Sequence, residues 1–301
     1  MDNKRMTGHL AALFTILIWG TTFISTKILL EDFWPVEILF FRFVMGYLLL
    51  WPVCPRRMKG VTIRQEAVFA MAGFCGICLY YLLENIALTY TLASNVGVMT
   101  SVAPFFTAIL VYFTGKSEEK LRPGFFVGFV VAMAGIVLIS LQGAGWEINP
   151  LGDILAVAAA FVWGVYSVLT RKINGFGYPV LLITRRTFFY GILFMMPALA
   201  FFDFRLGAER FTDMTNLFNI VYLGVGASAL CFLTWNFAVR ALGAVKTSIY
   251  IYMVPVITTV TSALILEEPV TWISLGGTGL AITGLVLSGY EGKRRRKSNS
   301  A

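Results

Sequence analysis

Long apolar stretches recur along the chain, separated by short polar clusters. Pro123 to Trp146, Met214 to Val239, Thr247 to Leu266 and Pro269 to Tyr290 contain no Asp, Glu, Lys or Arg. A helix needs about 20 mostly apolar residues to cross a bilayer core, and each run is long enough. Asn85 to Gly115 is also uncharged, but "ALTYTLAS" within it reads as a tight turn between two helices. With turns at the remaining polar clusters, ten helices are predicted: 8–29, 35–54, 66–89, 92–114, 123–142, 151–173, 178–202, 217–241, 244–266 and 271–290. The longest connection, Asp203 to Asn216, is 14 residues, too short for a soluble domain. "WGTTFISTK" from Trp19 offers no small-residue cleavage site of the signal-peptide kind, so the first helix is expected to remain.

Composition agrees: 58% of the residues are hydrophobic and only 13% charged, where an average soluble domain is about a quarter charged. The net charge of +8 would suit nucleic acid if it formed a patch, but its distribution is topogenic. With the N-terminus in the cytoplasm, 18 cations fall on the inner side and 3, Lys27, Arg205 and Arg210, on the outer side. That is the positive-inside pattern, and it predicts that both termini are cytoplasmic. The tail "KRRRK" from Lys293 to Lys297 reads the same way, ahead of a nuclear signal or a lipid-binding patch. Cys75 and Cys78 form a C-x-x-C in mid-helix with no further Cys or His ligand nearby, which points to packing and not to zinc or redox chemistry.

The chain also repeats itself. A shift of 144 residues aligns 8–50 with 152–194 without a gap, and nine positions are identical. Among them are Trp19 and Gly20 with Trp163 and Gly164, Pro35 with Pro179, and Arg42 with Arg186. A shift of 151 then pairs Asn85, Ala87, Ala93, Pro104 and Thr107 with Asn236, Ala238, Ala244, Pro255 and Thr258. This predicts a duplicated five-helix unit, 1–145 and 146–291, followed by a basic tail, 292–301. An odd number of spans puts the second copy into the membrane from the opposite side, and such inverted repeats suit alternating access. A duplication kept only for packing is the plainer alternative.

Ten spans as five plus five, "WG" in the first and sixth helices and N-x-A in the third and eighth resemble the drug/metabolite transporter superfamily, EamA type, over essentially the whole chain. The group includes bacterial exporters of amino acids and related metabolites. The resemblance implies an all-α integral protein of the bacterial plasma membrane, with helices 1, 3, 4, 6, 8 and 9 around a central cavity and helices 5 and 10 at the periphery. It carries little information about the substrate.

Ionisable groups inside spans are costly and mark partners or pathways. Arg42, Glu84, Arg185 and Arg186 lie within spans, with Lys27 and Arg171 at helix ends. From the predicted helix ends, Arg42 and Glu84 both sit about 10 Å below the outer boundary at 1.5 Å per residue. Glu84 is then either a proton-coupling or substrate-ammonium site, or half of a structural ion pair with Arg42. In the second repeat Trp235 stands at the position of Glu84, so the symmetry is broken there. Asn85 and Asn236 either bind a ligand or link helices. Pro104 and Pro255 kink their helices and suit gating, although membrane helices also tolerate Pro for packing alone. Glycines such as Gly124, Gly128 and Gly135, with Gly276, Gly277 and Gly284, fit close helix packing.

Trp19, Thr22, Tyr80, Tyr81, Met99, Trp163, Tyr166, Trp235 and Tyr250 fall on the helices expected to line the cavity. Such a lining suits an amphipathic solute with an apolar side chain and an amine, through apolar contact and cation–π attraction, while for any one of them lipid or core packing is the competing reading. Lys27 and Arg171 either snorkel to headgroups or flank the two cavity mouths. An intramembrane protease needs a Ser and a deep His, but His9, at the inner edge, is the only histidine. No phosphate-binding G-x-x-x-x-G-K-[ST] loop exists for ATP-driven pumping. The expectation is a secondary transporter of small organic metabolites, amino acids foremost, with nucleosides, sugars or cationic compounds as alternatives. Its partners would be a small-molecule substrate, the lipid bilayer and a coupling proton. No cofactor, metal or nucleic acid is called for, and a monomer or weak dimer is expected.

Overall fold

The computed structural model describes residues 3–114, 123–140, 149–201, 204–265, 267 and 272–289, and all the regular structure in them is helical. The helices are α1 (Asn3–Leu29), α2 (Pro35–Val53), α3 (Ile63–Tyr90), α4 (Ala93–Thr100 and Ala103–Phe113), α5 (Pro123–Ser140), α6 (Pro150–Asn174), α7 (Val180–Phe201), α8 (Met214–Leu242), α9 (Ala244–Ile265) and α10 (Trp272–Gly289). Eight of them are long and apolar enough to cross a membrane, while α5 and α10 are shorter apolar helices. The expected ten spans are therefore met in full at eight places.

Helix starts follow ordinary capping chemistry. Thr62 caps α3, its hydroxyl accepting from Gln65 N–H while Gln65 Oε1 accepts from Thr62 N–H. Asp213, which lies 151 residues further on, caps α8 by accepting from Thr215 and Asn216 N–H. Those two N–H groups, that of Asn216 foremost, hold the Asp213 carboxyl below its ordinary value. Lys27 has a comparable task at another helix end: its Nζ donates to Leu88 O at 2.7 Å and Thr91 O at 3.2 Å, closing the C-terminus of α3. That contact gives Lys27 a packing task at the end of α3.

Packing is related by the exchange of one half for the other. α1 packs on α8 as α6 packs on α3, α1 on α9 as α6 on α4, and α2 on α8 as α7 on α3. α2 meets its counterpart α7, and α5 meets its counterpart α10. The Trp-Gly pairs explain part of this. A Cβ on Gly20 would meet the Ile257 side chain of α9 at 2.6 Å, and one on Gly164 would meet Phe106 Cβ of α4 at 3.0 Å. Ile257 and Phe106 are themselves 151 residues apart, so each "WG" glycine allows the same helix crossing in its own half. Gly128, Gly135 and Gly284 do the same between α5 and α10, whereas Gly276 faces open space.

The interruptions are matched as well. π-helical stretches occupy Phe74–Leu79 in α3 and Tyr222–Leu230 in α8. α4 breaks at Ser101 and Val102, whose N–H groups reach back only three residues, to Val98 O and Met99 O. α9 tightens to a 3-10 turn at Ile249–Met253. The α4 break and the α9 turn each lie in the turn before a proline, Pro104 or Pro255, where the ring clashes with the carbonyl four residues back and the amide hydrogen is missing. The kinks expected from the two prolines are present, one turn upstream of the rings.

Candidate functional site

A narrow cavity of about 30 Å³ lies at the meeting of α1, α3, α4, α6 and α9. Trp19, Thr22 and Phe23 come from α1, Tyr80, Tyr81 and Glu84 from α3, and Trp163 from α6. Thr100 and Ala103 border the α4 break, while Ile251 and Val254 border the α9 turn. The proline-induced irregularities thus supply two of its walls. Of the sequence candidates, Trp19, Thr22, Tyr80, Tyr81, Glu84 and Trp163 line this space. Phe23, Thr100, Ala103, Ile251 and Val254 were missed, although the turn before each proline was the signal that could have found four of them.

The walls are mainly aromatic. Trp19 meets Trp163 edge-on with ring centroids 5.2 Å apart, Tyr80 lies 4.8 Å from Trp163, and Tyr80 and Tyr81 are 4.7 Å apart. Trp19 Nε1 donates to Ala227 O at 3.0 Å, a carbonyl in the π-helical stretch of α8. Trp163 is 3% exposed, and its Nε1–H has no acceptor among the described residues. Thr22 is committed locally, its hydroxyl donating to Trp19 O. Glu84, 3% exposed, is the only ionisable side chain of the lining other than the two tyrosines, and Tyr80, one turn earlier on α3, brings its hydroxyl towards the carboxyl. The arrangement offers one acid and one free N–H donor within an aromatic wall.

The proposed ion pair between Arg42 and Glu84 does not form. The salt bridges among the described residues join Arg186 to Glu66 and Arg210 to Glu37. Arg42 is fully buried and turns towards α8, where its Nε donates to Ser228 Oγ at 3.0 Å. Its guanidinium lies 4.4 Å from the centroid of the Tyr81 ring, and its two terminal nitrogens have no hydrogen-bond partner among the described residues. Equal depth on two helices says nothing about the directions of their side chains.

The other candidates lie outside the lining. Asn85 Nδ2 donates to Pro35 O of α2 at 3.0 Å, and Asn236 Nδ2 donates to Thr184 Oγ1 of α7 at 2.9 Å. Each amide ties its helix to the second helix of the same half. Tyr166 donates to Asn236 Oδ1 at 3.5 Å, Trp235 packs 5.1 Å from Trp19, and Met99 is half-buried against the core. Tyr250 stands near the start of α1, its hydroxyl 2.7 Å from His9 Nδ1. Two acids escaped the sequence reading altogether. Glu37, with a fully buried side chain, holds Arg210, Arg205 N–H and Trp34 N–H, and Glu66 receives Arg186 and Tyr190. Their arginine partners, Arg210 and Arg186, are 173 and 120 residues away in sequence, which no local pattern reveals.

Comparison with known proteins decides the family. The model of the EamA-like transporter family matches the chain twice, at residues 6–141 and 150–290. The chain belongs to the EamA-like transporter family. It is therefore a multi-pass integral membrane transporter and not an enzyme, and it serves a small-molecule substrate. An uncharacterized transporter of Archaeoglobus fulgidus is 27% identical over 286 residues, covering 93% of this chain and 96% of its own. A probable terminal-alkyne amino-acid exporter of Streptantibioticus cattleyicolor is 25% identical over 294 residues, covering 96% of each. A crystal structure at 19% identity superposes with a TM-score of 0.75 over 97% of this chain and 100% of its own, which extends the agreement in fold.

Proposed function

We infer that this EamA-family transporter carries small amphipathic solutes with an amine, amino acids foremost, by alternating access. In this reading the two five-helix halves are inverted in the bilayer of a bacterial plasma membrane, both termini are cytoplasmic, and the halves rock about the cavity between them. The observation that carries it is the pairing of Glu84 with the acceptor-less Trp163 N–H inside an aromatic wall. A carboxylate in such a place attracts an ammonium group by charge and hydrogen bonding, while the rings add cation–π and apolar contact. When no substrate is bound, the same carboxyl can carry a coupling proton. The amino-acid exporter of Streptantibioticus cattleyicolor, similar over its full length, supports the substrate class.

The test is counterflow into proteoliposomes containing the purified full chain, across amino acids, nucleosides, sugars and cationic amines. Uptake confined to amine-bearing amphipathic solutes, with substrate-dependent proton movement that Glu84→Gln removes, is the expected result. Uptake of sugars or nucleosides without amines would overturn it. The aromatic wall also fits a permease for organic cations, and equal transport of an amino acid and its decarboxylated amine would favour that reading.

A further inference from the structure

A second depression lies away from the cavity, between α2 and α7. We propose that it is a binding site for one anionic phospholipid, with the headgroup phosphate held by Arg57 and Arg185 and the acyl chains laid along the outer faces of the two helices. The groove has about 310 Å³ of space and is lined by Tyr47, Trp51, Arg57, Arg185, Arg186 and Phe189, among others.

Its depth in the bilayer follows from helix length. α2 has 19 residues, and at 1.5 Å per residue it extends about 28 Å, so its last turn lies at headgroup level. Trp51 belongs to that turn and is 40% exposed, the position where an amphipathic ring marks the interface.

Charge selects the headgroup. Arg186 is neutralised by Glu66, but the salt bridges of the described residues leave Arg57 and Arg185 without a carboxylate. Arg185 is 8% exposed and is fixed in place: its terminal nitrogens donate to Cys54 O and Arg56 O, and its guanidinium lies 5.0 Å from the Trp51 ring. The carbonyl bonds orient it and leave its charge uncompensated. Arg57 is exposed on the connection beside it. A basic pocket between membrane helices at headgroup level is the general form of a site for anionic lipid.

The remaining walls fit acyl chains better than a free anion. Tyr47 and Trp51 stand one turn apart on α2, as Phe189 and Leu193 do on α7, and the Tyr47 and Phe189 rings are 6.4 Å apart. Phe189 and Leu193 are 41% and 51% exposed, so an apolar path leads out of the groove along the bundle. Because α2 and α7 belong to different halves, the lipid would bridge them. The proposal is independent of the transported solute and of the orientation of the protein.

The experiment is native mass spectrometry and thermal unfolding of the full-length protein in detergent with dioleoyl phosphatidylglycerol, dioleoyl phosphatidylcholine or inorganic phosphate. One phosphatidylglycerol should bind at least fivefold more tightly than phosphatidylcholine and raise the unfolding temperature. Arg57→Gln, at an exposed position that does not threaten folding, should reduce that preference at least threefold, and Arg185→Lys should reduce it further. Neutralising Arg294, Arg295 and Arg296 in the tail should leave it intact. Equal binding of the two lipids, inorganic phosphate as effective as phosphatidylglycerol, or a preference lost with the tail and kept in Arg57→Gln would each overturn the proposal.

Discussion

Trp19 and Trp163 occupy equivalent places in the two halves, each just before a glycine at a helix crossing, yet their indole N–H groups have different fates. That of Trp19 is bonded to Ala227 O, while that of Trp163, a residue of the cavity lining, has no acceptor among the described residues. The arginine pair diverges in the same way. Arg186 is held by Glu66, while Arg42 rests on Tyr81 and Ser228 with two nitrogens unpartnered. The exchange of halves therefore governs backbone and packing, and the polar chemistry departs from it. Where the symmetry fails, a group is left without a partner among the described residues, and the proposed function places solute recognition at one of them, Trp163.

The largest expected effect is at Glu84, which has no counterpart because Trp235 stands in the other half. An ammonium bonded to a carboxylate gains roughly 1.5–3 kcal/mol over water, so Glu84→Gln should lower amino-acid transport about 10- to 100-fold. The measurement is proteoliposome counterflow, with protein stability in detergent as control. Unchanged rates would place the chemical asymmetry elsewhere.

The shared crossings come next and test the symmetric side. Gly20→Ala puts a Cβ 2.6 Å from Ile257, and Gly164→Ala puts one 3.0 Å from Phe106 Cβ. Overpacking of this kind typically costs about 1–3 kcal/mol. Both variants should unfold at lower temperature than the wild type, Gly20→Ala more so. If only one is destabilised, the matched crossing is not a feature of both halves.

The tryptophan pair sharpens the contrast with a smaller change. Trp19→Phe leaves Ala227 O without its donor, a loss of about 1–3 kcal/mol for a buried acceptor. Trp163→Phe removes a donor with no acceptor among the described residues, so it should cost less stability than Trp19→Phe, which leaves the same packing gap, and weaken solute affinity instead, as read by ligand-induced thermal shift. Reversed outcomes would assign the ligand contact to Trp19.

These pairs also show how far the residues could be read without coordinates. The helices, the duplication and the irregular turns before Pro104 and Pro255 followed from apolar runs and from identities at shifts of 144 and 151, because helix length and repeat register are written along the chain, while half of the cavity lining followed only from the helices that the family resemblance places around a cavity. Asn85 and Asn236 were recognisable as a pair, but whether they faced a ligand or α2 and α7 depended on helix rotation, which an unbroken apolar background does not encode. Glu37 and Arg210 are 173 residues apart, and Arg42 and Ser228 are 186 apart. Such partners are chosen by packing between halves. In the proposed function the groups that meet the solute are those without partners among the described residues, and an absence has no sequence motif.

The smallest effect is expected at Arg186, where the comparison with Arg42 is most direct. Its side chain is 38% exposed and that of Glu66 is 24% exposed, so solvent screens the pair, and Arg186→Gln should cost under about 1 kcal/mol. Tyr190 would remain bonded to Glu66 Oε2 at 2.7 Å. Transport should be unaffected, since this pair is satisfied within the protein and lies off the cavity lining. A transport defect in Arg186→Gln as large as that of Glu84→Gln, with normal stability, would show that the satisfied arginine also takes part, and the division between a structural and a chemical half would fail.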